Sequence, residues 1–363
     1  MAEPPIYANN AGTSWPKPPG VVEAAAAALD APPAEGLAAF EAAAAAVCAL
    51  IGVPTSERLL LTPSCTGALG LALGDLPWQP GDLVLTSALE HHALARAVEK
   101  LERERGVEHR ALAYRPGATI DLEQARRVLA TGRVRLVAVT HASNVTGELL
   151  PIAELAALAR SHGALVLLDA AQTLGVIDLD VQELGVDLLC FAGHKGPLGP
   201  HGIGGLWAAP NVAFESPWAV CEVGEGRGAC SPFPGYCDVG SVNLAAAAGL
   251  AVALDWRREH GGAAWARALE LARELREALA RRGHVYGGDG PHTATLSVRL
   301  DALPLARAEP HFAGAGIAVR AGQHCAPLAL EALGTPEGTL RISLGPFNRD
   351  EDVAAIVDAV DRL

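Results

Sequence analysis

The chain lacks most of the features that would place it outside the ordinary globular proteins. No run of 18 apolar residues occurs, so no membrane-spanning helix is expected. The seven cysteines, Cys48, Cys65, Cys190, Cys221, Cys230, Cys237 and Cys325, form no CxxC pair. That spacing argues against a disulfide scaffold or a structural zinc site and suits a reducing compartment; no metal ligand is expected. Positive charge is scarce: 28 Lys and Arg stand against 41 Asp and Glu, a net charge of −13. With no basic stripe to offset it, this balance opposes a nucleic-acid partner. Glycine and proline make up 64 of 363 residues, below the roughly 25–30% of low-complexity chains. The opening Met-Ala-Glu-Pro-Pro has no basic-then-apolar leader, so no export, a cytoplasmic location and no membrane attachment are expected.

What is present is a large apolar fraction, 50% of residues with 19% charged, in a chain long enough for one large domain or two moderate ones. From residue 59 to about 209, short apolar runs alternate with helical patterns. The runs begin at Leu59, Leu83, Leu136, Leu165 and Leu188, and are continuous rather than alternating, as in strands buried on both faces. Segments 89–105, 121–130 and 152–161 between them have apolar residues at helical spacing. This rhythm predicts βαβ units and a mainly parallel sheet flanked by helices, with chemistry just beyond the strands' carboxyl ends. After about Val242 it gives way to helices over 244–260 and 263–282 and an alternating strand at 295–299. Two further strands are expected near 317–319 and 341–344, then a closing helix with a capping box at Asn348 and Glu351. The expected domains are a large α/β domain over 16–245 and a smaller α+β domain from 1–15 and 246–363.

Two residues after strands carry the chemistry. Asp169 ends the run Leu165-Val166-Leu167-Leu168, where a carboxylate is desolvated unless a cation or strong donor meets it. Lys195 follows Phe191-Ala-Gly-His194 and opens a glycine-rich loop. An amine and an acid so placed suit Schiff-base chemistry with an electron-sink cofactor whose ring nitrogen needs an acidic partner.

These motifs resemble the Suf-like cysteine desulfurases of the class V aminotransferase group, fold-type I enzymes that use pyridoxal 5′-phosphate (PLP). The resemblance runs from residues 7–18 through Glu90-His91-His92-Ala93, the segment 141–147 with Asn144, and the Asp169 and Lys195 motifs. It ends at Arg320-Ala-Gly-Gln-His324-Cys325 and the segment 341–348. It implies that Lys195 holds PLP and moves protons at the substrate Cα. Asp169 pairs with the ring nitrogen, Gln172 and Asn144 lie near the ring oxygen, and His91 lies flat on the ring. Cys65, Thr66 and His194 meet the phosphate at a helix N-terminus, and Ser241 reaches the neighbouring subunit's phosphate, which implies a homodimer. Arg341, with Asn144 and Arg320, takes the substrate carboxylate. Cys325 is the nucleophile that accepts sulfur from L-cysteine, releasing L-alanine, with His324 and Arg320 expected to favour its thiolate. A sulfur-acceptor protein is the implied partner.

The chain also departs from the family. Ala192 stands where a Ser or Thr commonly bonds the phosphate, Cys65 and Gly67 replace more usual residues, and segments 31–38 and 218–240 diverge. Another PLP chemistry on the same scaffold, such as a β-eliminating C–S lyase, an epimerase or an aminotransferase, stays open at this point.

Overall fold

The computed structural model describes residues 5–214 and 242–363. Cys221, Cys230, Cys237 and Ser241 lie outside the described residues.

The continuous apolar runs become a seven-stranded sheet. Its strands are β1 (Leu59–Thr62), β2 (Leu83–Ser87), β3 (Glu108–Leu112), β4 (Val134–Thr140), β5 (Leu165–Asp169), β6 (Leu188–Ala192) and β7 (Gly204–Ala208). Their spatial order is β1-β7-β6-β5-β4-β2-β3. Neighbours from β6 through to β3 pair in parallel, while β7 runs antiparallel to both β1 and β6. Sequence periodicity gives no hint of β7, whose Gly-Gly-Leu-Trp-Ala lacks an apolar run. Here glycine is needed for closeness: a Cβ on Gly204 would lie 2.6 Å from the Phe191 carbonyl oxygen.

Helices cover both faces of this sheet. On one side α1 (Val21–Asp30) and α2 (Pro33–Leu50) pack against α5 (Leu244–Trp256); α3 (Cys65–Gly74) and α4 (His92–Arg105) lie together on the other. Among the described helices α2 alone has the length and apolar composition to cross a membrane. It carries Glu35 and Glu41, and buries Phe40, Ala43, Ala44, Val47 and Cys48 in the main core. α5 ends at Trp256 rather than 260, because residues 257–261 widen into a π-turn before α6 (Gly262–Ala280).

A second, antiparallel sheet takes the order His284–Val285, Thr295–Arg299, Thr339–Ser343 and Arg320–Gly322. The N-terminal pair Ile6–Tyr7 lies parallel to Ile317–Ala318, so the N-terminal segment joins the small-sheet part of the chain. The last helix, Asp350–Asp361, starts one residue later than the expected capping box. The reciprocal carboxylate is that of Asp352, which accepts from the Arg349 N–H at 3.1 Å and from Asn348 Nδ2 at 2.9 Å. Glu351 is thereby displaced from the capping role, since the third helical residue is the one that faces back to the cap.

Candidate active site

The carboxyl ends of β2, β4, β5 and β6 converge on one cleft, completed by the loop 323–326 and by Arg341 from the small sheet. It encloses about 600 Å³ and is lined by His91, Asn144, Lys195, Arg320, Cys325 and Arg341, among others, with no carboxylate among the described residues of its lining.

Asp169 is the last residue of β5 and is 3% exposed. Its carboxylate accepts from the Ala171 N–H at 2.9 Å, and the Cys65 thiol donates to it at 3.5 Å. Burial pushes its pKa up, opposed by the Ala171 N–H and the Lys195 charge. Lys195 lies three residues past the end of β6, and burial depresses its pKa against the pull of Asp169. Its loop is held by contact: a Cβ on Gly196 would meet the Leu174 carbonyl oxygen at 2.2 Å. The structure thus brings a readily neutralised amine and a buried acid into mutual electrostatic reach.

Asn144 sits in the tight turn after β4, whose Gly147 has φ +79° and so little room that a Cβ would lie 2.2 Å from the Thr295 carbonyl oxygen. Its Nδ2 donates to the His324 carbonyl at 2.7 Å, while its Oδ1 is buried with no partner. Arg341 is 4% exposed; Nη1 donates to the Asn144 carbonyl at 3.0 Å and Nη2 to Asn9 Oδ1 at 3.1 Å. Its buried Nε has no partner, and burial lowers its pKa to about 10. Two unpartnered polar atoms, one acceptor and one charged donor, therefore belong to the residues expected to meet an amino acid.

His91 caps α4, its Nδ1 accepting from the Ala93 N–H at 3.1 Å. Burial, helped by the Lys195 charge, lowers its pKa to about 3. The preceding Glu90 was passed over in the sequence as part of a motif, yet it ties two strand ends together. Its carboxyl accepts from Ser87 Oγ at 2.5 Å and from the Thr140 N–H at 2.9 Å, and burial raises its pKa to about 8. A lone acidic residue after a strand was the available signal.

At the start of α3, Ser64 makes the cap: its Oγ accepts from the Gly67 N–H at 3.1 Å. Cys65 is buried and Thr66 exposed, with their N–H groups in the first helical turn. His194 Nδ1 faces Thr13 Oγ1 at 3.0 Å and its ring stacks on His201, with centroids 4.4 Å apart. Lys17, which sequence reasoning did not single out, is half-buried and donates to Ser14 Oγ at 2.8 Å and the His194 carbonyl at 3.1 Å. Gln172 donates its Nε2 to the Ala11 carbonyl at 3.1 Å, on the wall beside Lys195.

Cys325 is exposed at the cleft mouth. His324 and Cys325 both adopt left-handed backbone, φ 52° and 57°, costly for non-glycine residues and common at functional sites. The His92 N–H donates to the Cys325 carbonyl at 2.8 Å and fixes the loop to α4. The expectation that His324 would favour a Cys325 thiolate is corrected. His324 turns inward, its Nε2 lies 2.9 Å from the Thr339 carbonyl, and burial lowers its pKa to about 3, leaving the ring uncharged. Arg320 points to Glu309, with Nε 3.6 Å from its carboxylate.

Residues 6–356 match the family model of aminotransferase class-V. A probable cysteine desulfurase of Pseudomonas aeruginosa is 37% identical over 335 residues, covering 89% of this chain and 82% of that protein. Cysteine desulfurase CsdA of Escherichia coli is 32% identical, with 90% and 83% covered. Among solved structures, an apo cysteine desulfurase from Thermococcus onnurineus superposes with a TM-score of 0.91 at 27% identity, covering 99% of this chain and 94% of that one. Crystalline CsdA in its S-sulfonic acid form gives a TM-score of 0.90 at 30% identity, again over 99% and 94%. The mainly parallel sheet, the strand-end lysine and acid, and these matches agree: the chain belongs to the aminotransferase class-V family and groups within it with the cysteine desulfurases.

Proposed function

We propose that the chain is a PLP-dependent cysteine desulfurase that moves sulfur from L-cysteine to Cys325 and releases L-alanine. The observation that carries this reading is one cleft lined by a buried amine, an exposed thiol and an arginine with an unpartnered guanidinium nitrogen.

The residues present fit PLP. A buried acid suits a protonated ring nitrogen, since burial of Asp169 leaves a carboxylate in need of a cation. The first turn of α3 suits a phosphate, and His91, uncharged, presents a flat ring. PLP, when bound, supplies an electron sink for the substrate's Cα carbanion.

The chain's own residues do the rest. Lys195, whose pKa burial lowers, takes the Cα proton and returns a proton to the product. Arg341, aided by Asn144, orients the carboxylate, and Arg320 adds positive charge at the mouth. The Cys325 sulfur attacks the substrate sulfur: an S–S bond forms and the substrate's C–S bond breaks. The bonding electrons stay with Cβ, which takes up a proton, so cysteine becomes alanine and Cys325 a persulfide without an external oxidant or reductant. The same reading implies a homodimer and a sulfur-acceptor protein as partner.

Purified protein loaded with PLP and given L-cysteine is expected to release alanine, and Cys325→Ser to abolish that release. Quantifying alanine and pyruvate decides the matter: pyruvate that persists in Cys325→Ser identifies β-elimination instead.

Ala192 ends β6 inside the buried cluster that holds Cys65 at the start of α3. Ala192→Ser would add a hydroxyl there, and a hydrogen bond to a charged phosphate contributes about 1.5–3 kcal/mol. PLP affinity should rise about tenfold or more, read by fluorescence titration of the apoprotein; unchanged or weaker binding contradicts a phosphate at that turn.

A further inference from the structure

We propose that His91, His92 and Cys325 form a reversible binding site for a soft d10 metal ion, with Zn²⁺ as probe, at the mouth of the cleft. One ligand atom from each of the three residues can be chosen so that all lie within 4.8 Å of one another. Tetrahedral zinc with Zn–N of about 2.0–2.1 Å and Zn–S of about 2.3 Å needs its ligand atoms roughly 3.3–3.6 Å apart. Side-chain rotations of about 1 Å therefore close the site around an ion.

The three residues come together although 233 positions separate His92 from Cys325, because the His92 N–H to Cys325 carbonyl bond of 2.8 Å pins loop 323–326 to the first turn of α4. The two imidazoles already lie edge to face with centroids 4.9 Å apart. His91 accepts the Ala93 N–H through Nδ1, so ligation moves its ring proton and gives up that cap. Cys325 is exposed and unpaired, open to an entering ion.

The surroundings select the class of metal. A thiolate and two imidazoles favour thiophilic ions, and hard cations such as Mg²⁺ or Ca²⁺ want carboxylate and carbonyl oxygens. Among the described residues the cleft lining holds no carboxylate but carries Arg96, Arg320, Arg341 and Lys195. These positive charges weaken cation binding, and this makes the site reversible rather than structural. Binding replaces the thiol proton: Cys325–SH and Zn²⁺ give the zinc thiolate and one released H⁺. The fourth position faces the cleft, where a small thiol completes the tetrahedron. An occupied site withholds the Cys325 sulfur from any other reaction until a chelator removes the ion. The site itself does not require Cys325 to be the desulfurase nucleophile, so the two ideas fail separately.

Calorimetric titration of the PLP-loaded protein with ZnCl₂ tests the proposal. Wild type should bind one ion per chain, and His92→Ala and Cys325→Ser should each weaken binding tenfold or more. Arg96→Gln, which removes a neighbouring positive charge four residues along α4 from His92, should tighten it severalfold, a gain that misfolding cannot mimic. Co²⁺ should give the visible bands of a tetrahedral thiolate complex in wild type and lose them in Cys325→Ser. Equal affinity in wild type, His92→Ala and Cys325→Ser would place the ion elsewhere, on Cys221, Cys230 or Cys237 for instance, and overturn the proposal. So would the absence of saturable binding by wild type.

Discussion

Lys195→Ala is expected to lower alanine formation from L-cysteine by about 10³–10⁴-fold or more, since the proposed function has one residue both carry the cofactor and move the Cα proton. The proton-transfer role alone is worth about 10²–10⁴. Loss of the covalent anchor adds to this and should also remove the visible absorption of lysine-linked PLP. The substitution has a second effect. Asp169 is buried, and the Lys195 charge is one of the influences that hold its pKa down. Without that charge Asp169 ionises less readily, so in the proposed mechanism the partner of the ring nitrogen is impaired along with the base. The fold should survive, because Lys195 is a buried cation whose own pKa burial depresses, and thermal melting checks this. Single-turnover alanine measurement separates the outcomes: activity within tenfold of wild type would show that another group is the base.

Asp169 and Lys195 were legible in the sequence because each follows an unbroken apolar run, and a buried parallel strand places its next polar residue at the sheet's carboxyl edge. Five of the seven strands of the main sheet were legible for the same reason. Gly204–Ala208 was not, since its identity as a strand depends on close approach to Phe191 rather than on side-chain pattern. His324 shows where adjacency misleads. Beside Cys325 in sequence it suggests an activating cation, but two successive left-handed residues send the imidazole into the protein and the thiol out of it. The contact of Asn9 with Arg341 was invisible for a different reason: it spans 332 positions, beside the parallel pairing of Ile6–Tyr7 with Ile317–Ala318 that no local pattern encodes. The likeness in motifs implies roles; the geometry shows which polar atoms of those residues have no partner.

Arg341 carries the second large expectation. Nη1 is committed to the Asn144 carbonyl and Nη2 shares one of its hydrogens with Asn9, while Nε is buried without a partner. Nε and Nη2 form one edge of the guanidinium, the edge that grips a carboxylate with two parallel bonds. Burial has already lowered the pKa of this group to about 10, so the charge sits in a poorly solvated place where an entering anion is attracted strongly. Truncating one member of a buried charge pair costs about 2–5 kcal/mol. Arg341→Ala should therefore lower kcat/KM for L-cysteine by about 10²–10³-fold, mainly through KM, because Lys195 and Cys325 stay in place. Arg341→Lys should recover little of this: a lysine keeps the charge but not the planar fork, and it cannot hold Asn144 and Asn9 while meeting the substrate. Steady-state kinetics on both variants decide between the two sources of the effect. A lysine variant with near wild-type KM would mean that charge alone binds the carboxylate. A KM changed less than about fivefold in Arg341→Ala would move carboxylate recognition to Arg320 at the mouth of the cleft.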